Sequence, residues 1–165
     1  MAAPETSQLD LAADVVALTE ALCNVESVSH NETALCDLIE IELRKLDHLE
    51  VTRVDNNLVA RTSLGRAERV VLAGHLDTVP LNHNLPVRND GVNLHGLGTC
   101  DMKGGLACLL RLAHDLKRPN RDLTFIAYEA EEVADEFNGL GKLARLRPDL
   151  LEADFAILLE PSNAG

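Results

Sequence analysis

Tryptophan is absent from this 165-residue chain, and three phenylalanines and one tyrosine are its only aromatics. The core must therefore be aliphatic. Positive charge is also scarce: 15 Lys and Arg stand against 27 Asp and Glu, a net charge of −12. That balance excludes a nucleic-acid reader, which carries a basic face, and a binder of anionic membrane surfaces. No apolar run approaches the roughly 20 residues of a membrane span. The opening MAAPETSQ lacks the basic-then-apolar order of a signal peptide. Cys23, Cys36, Cys100 and Cys108 form no CxxC pair and suit a reduced compartment, so a cytoplasmic location is expected.

What is present is the balance of a folded α/β protein, 46% apolar and 25% charged. Residues 1–8 read as a flexible tail, and no domain boundary is expected within 9–165. From Leu9 to about Leu22, then from Leu35 to Leu46, apolar residues recur at helical spacing. Ser29-His30-Asn31-Glu32 has the form of a capping box opening the second helix. A hairpin is expected over Glu50–Val54 and Leu58–Arg61, turning at Asp55-Asn56-Asn57. The runs VVLAG (70–74), LTFIAY (123–128) and FAILL (155–159) read as strands covered on both faces. Between them come a long loop over Pro80–Cys100 and helices over Lys103–Leu116 and Gly139 to about Arg147. Strands alternating with helices, plus one hairpin, imply a layered α/β fold on a mixed sheet.

Chemistry follows each apolar run. His75 and Asp77 succeed the first, Glu131 and Glu132 the second, and Glu160 the third; Asp101 follows a glycine-rich loop. In an open α/β sheet the carboxyl ends of the strands form the ligand crevice. Five carboxylates converging there would repel strongly in a low dielectric, so cations are expected to neutralise them. One imidazole with several carboxylates suits zinc or a related divalent ion, and a bridging carboxylate such as Asp101 could hold two. Asp77 could accept the second ring N–H of His75 and fix its tautomer. Of Glu131 and Glu132, one would bind metal and the other take a proton from water; spacing alone does not assign them.

The segments GHLDTVP (74–80), GLGTCDMKGG (96–105), EAEEV (129–133) and LLEPS (158–162) resemble the cocatalytic zinc aminoacylase and carboxypeptidase family. The resemblance spans about residues 9–165. It implies a three-layer, mixed-sheet, zinc-peptidase-like catalytic domain that is incomplete, the family's dimerisation domain being absent. It implies two Zn2+ ions, with cobalt or another divalent ion as the alternative, and a small acylated amino acid as substrate. A succinylated substrate is expected, with acetylated amino acids or dipeptides as alternatives; no nucleic acid or membrane takes part. By this match His75 and Glu160 hold one zinc, Glu132 the other, and Asp101 bridges them, with a cis peptide bond to Met102. Glu131 becomes the general base and Asp77 the partner that orients His75.

The family's second zinc has one further histidine, supplied near the end of a much longer chain, and it has no counterpart here. The chain is therefore read as the N-terminal portion of a homodimeric enzyme, inactive or weakly active alone. A non-catalytic fragment is the reading from another class.

Other polar residues read as ordinary. Glu129, Asp135 and Glu136 are expected at the surface. His30, His48, His83, His95 and His114 read as structural or exposed, His83 alone being considered near substrate. Cys100 is expected to pack rather than ligate. The glycines of 96–105 read as places where backbone approaches the metal centre, since no phosphate-loop lysine-serine pair follows.

Overall fold

The computed structural model describes residues 9–162; the tail expected at 1–8 lies outside them. Helices α1 (Val15–Cys23) and α2 (Thr33–Leu43) precede the hairpin β1 (Glu50–Val54) and β2 (Asn57–Arg61). Strand β3 (Arg69–His75) leads into the long loop, whose only regular pieces are β4 (Arg88–Asn89) and β5 (Leu94–His95). Then come α3 (Lys103–Asp115), β6 (Asp122–Tyr128), α4 (Gly139–Leu146) and β7 (Phe155–Leu158).

Five strands form one sheet in the order β1-β2-β6-β3-β7. Strands β6, β3 and β7 run parallel, and the hairpin adds antiparallel to β6, which gives the mixed sheet expected. Leu72 stands beside Phe125, and Ala73 beside Ile126. Alternate residues serve opposite faces. Leu58, Ala60, Leu72, Phe125 and Ala127 pack against Leu18, Leu22, Leu35, Ile39, Leu106 and Leu110 of α1–α3. Val59, Val71, Ala73 and Ile126 pack on the other side against Leu143 of α4 and Leu150. Helix–sheet–helix is thus the layering. No helix among the described residues is long and apolar enough to cross a membrane.

Three local expectations are corrected. Helix α1 begins at Val15 rather than near Leu9, because Asp14 accepts the N–H groups of Val16 and Ala17 and so fixes the first turn. Ser29 and Glu32 do not form a capping box: no side-chain hydrogen bond caps α2, and both side chains turn to other partners. The last strand is not covered on both faces. Phe155, Ile157 and Leu158 are 62%, 41% and 53% exposed, because β7 forms the sheet's edge and pairs only with β3 among the described residues. Hydropathy marks a strand but not whether a neighbour lies beyond it.

Candidate metal centre

Because β3, β6 and β7 are parallel, their carboxyl ends meet at one edge of the sheet, the usual ligand crevice. His75 ends β3 and is fully buried. Its Nε2 lies 3.2 Å from Asp101 Oδ1 and 3.4 Å from Glu160 Oε1. His75, Asp101 and Glu160 each offer a ligand atom within 4.8 Å of the others; His75, Glu131 and Glu132 do the same. The four carboxylates read from the sequence as metal-site and base positions therefore gather around the His75 imidazole. The peptide bond from Asp101 to Met102 is cis, as the resemblance implied. Met102 is buried, and its Sδ accepts the His75 N–H at 3.1 Å.

Asp77 sits beside the other ring nitrogen, but its nearer acceptor is its main-chain carbonyl, 2.9 Å from Nδ1, against 3.4 Å for the carboxylate. The carboxylate is turned toward the glutamates instead. Glu131 N–H donates to Oδ1 at 3.0 Å and Glu132 N–H to Oδ2 at 3.1 Å, while the Ser29 hydroxyl donates to Oδ2 at 2.7 Å. Burial works against the Asp77 charge, yet these bonds and His75 hold its pKa down at about 2. Burial likewise pushes His75 down, but Asp77, Glu160 and Asp101 outweigh it and lift the imidazole to about 9. Glu132 and Glu160 are both raised, first by burial, with neighbouring carboxylates adding to it.

Glu160 Oε1 is buried and accepts no hydrogen bond among the described residues, the His75 Nε2 standing 3.4 Å away. An unpartnered carboxylate oxygen costs free energy unless a cation faces it. Together with His75 Nε2 and Asp101 Oδ1 it makes a mixed nitrogen and oxygen donor set, which fits a divalent ion of the zinc type.

The glycines behave as expected at Gly105, where a Cβ would collide with the Leu159 carbonyl oxygen and come within 2.9 Å of Met102 Cε. Leu159 adjoins Glu160, so this glycine lets the β7 terminus lie against α3. Asp135 and Glu136 are exposed as read; Cys100 lies outside both ligand groups but is exposed rather than packed. His30, His83 and His95 are exposed; His48 and His114 are half-buried.

Glu129 is a correction: it is 8% exposed rather than a surface residue. Asn57 Nδ2 and Lys142 Nζ donate to its Oε1 at 2.9 and 2.5 Å. Sequence reasoning also passed over Ser29, Glu32 and Asn57 as parts of the site's support, and Lys103. The Lys103 ammonium is buried and donates to the Leu22 and Val25 carbonyls at 3.2 and 2.9 Å, tying α3 to the end of α1. Burial lowers its pKa to about 8.

Residues 71–165 match the model of peptidase family M20/M25/M40. A succinyl-diaminopimelate desuccinylase of Corynebacterium glutamicum is 47% identical over 160 residues, covering 94% of this chain and 43% of its own length. The chain thus spans less than half the length of the curated relatives it matches. An M20 family metallo-carboxypeptidase of Sulfolobus solfataricus superposes with a TM-score of 0.74 at 14% identity, over 91% of this chain and 38% of that one. The YXEP protein of Bacillus subtilis, described as a dinuclear metal-binding peptidase of the M20 family, gives 0.58 at 15% identity, over 82% of this chain and 39% of that one.

Proposed function

The chain belongs to peptidase family M20/M25/M40, and on that premise we propose that residues 9–165 form the N-terminal part of the catalytic domain of a two-metal amidohydrolase. The proposed reaction removes the succinyl group from N-succinyl-LL-2,6-diaminopimelate, a step toward diaminopimelate and lysine. The choice of substrate is supported by the 47% identity to the Corynebacterium enzyme. The chemistry rests on one observation: His75 Nε2, Asp101 Oδ1 and the unpartnered Glu160 Oε1 converge beside Glu131 and Glu132.

His75 and Glu160 would hold one ion, Glu132 the other, and Asp101 would bridge them. Two such ions, zinc being the proposed metal, supply the charge that polarises an amide carbonyl and makes water acidic at neutral pH. Glu131 is the general base: its carboxylate takes a proton from the attacking water and passes it to the leaving nitrogen. The hydroxyl joins the succinyl carbon, the C–N bond breaks, and succinate and a free amine leave. Asp77 holds the imbedded imidazole through Nδ1, which leaves Nε2 free to donate its lone pair. The proposed compartment is the cytoplasm, and dimerisation of the complete enzyme would come from outside residues 9–165.

The test is an assay of the full gene product, stripped with a chelator and reloaded with Zn2+. Succinylated diaminopimelate should be cleaved at least about tenfold more efficiently than acetylornithine or dipeptides, a margin of about 1.4 kcal/mol in barrier. Faster acetyl cleavage, or activity indifferent to chelation, would overturn the reading.

A further inference from the structure

Residues 129–132 follow β6 without secondary structure of their own, yet each of their four consecutive main-chain N–H groups donates to a side-chain oxygen. Glu129 donates to Asn57 Oδ1 at 3.1 Å, Ala130 to Glu32 Oε1 at 3.2 Å, and Glu131 and Glu132 to the two oxygens of Asp77. Ala130 lies at φ +57°, in the left-handed region that L residues enter at a cost. Its N–H is therefore aimed by its partner rather than by local preference.

We infer that Glu32 is a positioning residue: its carboxylate clamps the main chain at Ala130 and so sets the aim of Glu131 and Glu132. Glu32 is only 1% exposed, and the same oxygen also accepts the His30 N–H at 2.9 Å. Three residues earlier, Ser29 donates its hydroxyl to Asp77 and its main-chain N–H to the Thr78 carbonyl at 3.1 Å. The tetrapeptide 29–32 thus links Asp77, beside His75, to the turn that carries the proposed base. Reach is the decisive property. Aspartate, one methylene shorter, keeps the charge but withdraws the oxygen from Ala130, whereas glutamine keeps an oxygen in place without the charge.

This role rests on the amidohydrolase reading, and the experiment separates the two. Glu32→Gln and Glu32→Asp are made in the full gene product and compared by amide hydrogen exchange and by steady-state kinetics on the succinylated substrate. Glu32→Gln should match the parent in both. Glu32→Asp should lose about tenfold or more of the exchange protection at Ala130, Glu131 and Glu132 while β3 and β6 keep theirs. Its kcat should fall about 10- to 100-fold with KM within about threefold, the range for residues that orient a site at one remove. Retained protection in Glu32→Asp overturns the inference, and so does a loss spread equally over β3 and β6. Equal damage from Glu32→Gln would also overturn it, since position would then not be what matters. If the parent hydrolyses no acylated amino acid, the functional reading fails, and the exchange comparison still decides the clamp.

Discussion

Glu131 donates its main-chain N–H to Asp77 Oδ1 at 3.0 Å, and the main-chain carbonyl of the same Asp77 lies 2.9 Å from His75 Nδ1. One residue therefore contacts both the proposed metal ligand and the proposed base. Asp77→Ala should weaken metal binding about 10- to 100-fold and lower kcat as well. Asp77→Asn should be milder, because its Oδ1 can still accept the Glu131 N–H, whereas alanine keeps only the main-chain carbonyl contact to the ring. A chelator-competition titration beside kcat measurements checks both. Unchanged metal affinity in Asp77→Ala would confine its role to the glutamate turn.

The two adjacent glutamates should separate by what they lose. Glu131→Ala is expected to keep its metal and lose about 10²- to 10⁴-fold in kcat, the usual worth of a general base. Glu132→Ala and His75→Ala should each lose one equivalent of metal. Elemental analysis with kinetics reads the outcome. Metal loss in Glu131→Ala with retention in Glu132→Ala would exchange the two roles.

Gly105→Ala should damage the metal site without touching a ligand. Its new methyl would press on the Leu159 carbonyl and on Met102, forcing the β7 terminus, and Glu160 with it, away from His75. Metal bound between His75, Asp101 and Glu160 should weaken by about tenfold or more, the scale on which supporting groups act. Titration with Co2+, followed by its visible absorption, measures this; unchanged affinity would mean the close approach carries no weight.

Asp122 predicts an acid limb of stability remote from the metal. Burial opposes its charge, but the Leu64 N–H, the Thr62 hydroxyl and the Arg66 N–H, with Arg69 nearby, hold its pKa at about 2. A carboxyl depressed by folding stabilises fully above its unfolded pKa of about 3.9 and loses that contribution as pH falls through the folded value. Stability against urea should therefore fall as pH drops from about 4 to about 2. Asp122→Asn should cost about 1–2 kcal/mol at neutral pH and flatten that limb. An undiminished slope in the variant would assign the acid transition to other carboxylates.

Strands β3 and β6 were legible because burial on both faces writes itself as an unbroken apolar run, and the chemistry was legible because it follows the apolar runs directly. His75, Asp101, Glu131, Glu132 and Glu160 all lie where the spacing put them. What escaped was partner choice. Ser29-x-x-Glu32 satisfies the pattern of a helix cap, and only the fold reveals that Asp77 and Ala130 compete successfully for those side chains. Glu129 was lost among five carboxylates in eight residues, because nothing local announces that Asn57 and Lys142 face it. Strand β7 was misjudged for the same reason, its residues being apolar while no described strand lies beyond it.

The oxygens that hold residues 129–132 belong to residues 32, 57 and 77, at separations of 54 to 98 positions along the chain. During synthesis all three emerge before the segment they hold. Holding this turn therefore depends on long-range contacts, whose closure is the slow part of folding. A peptide of the turn alone, however faithful its glutamates, would have no reason to point them anywhere.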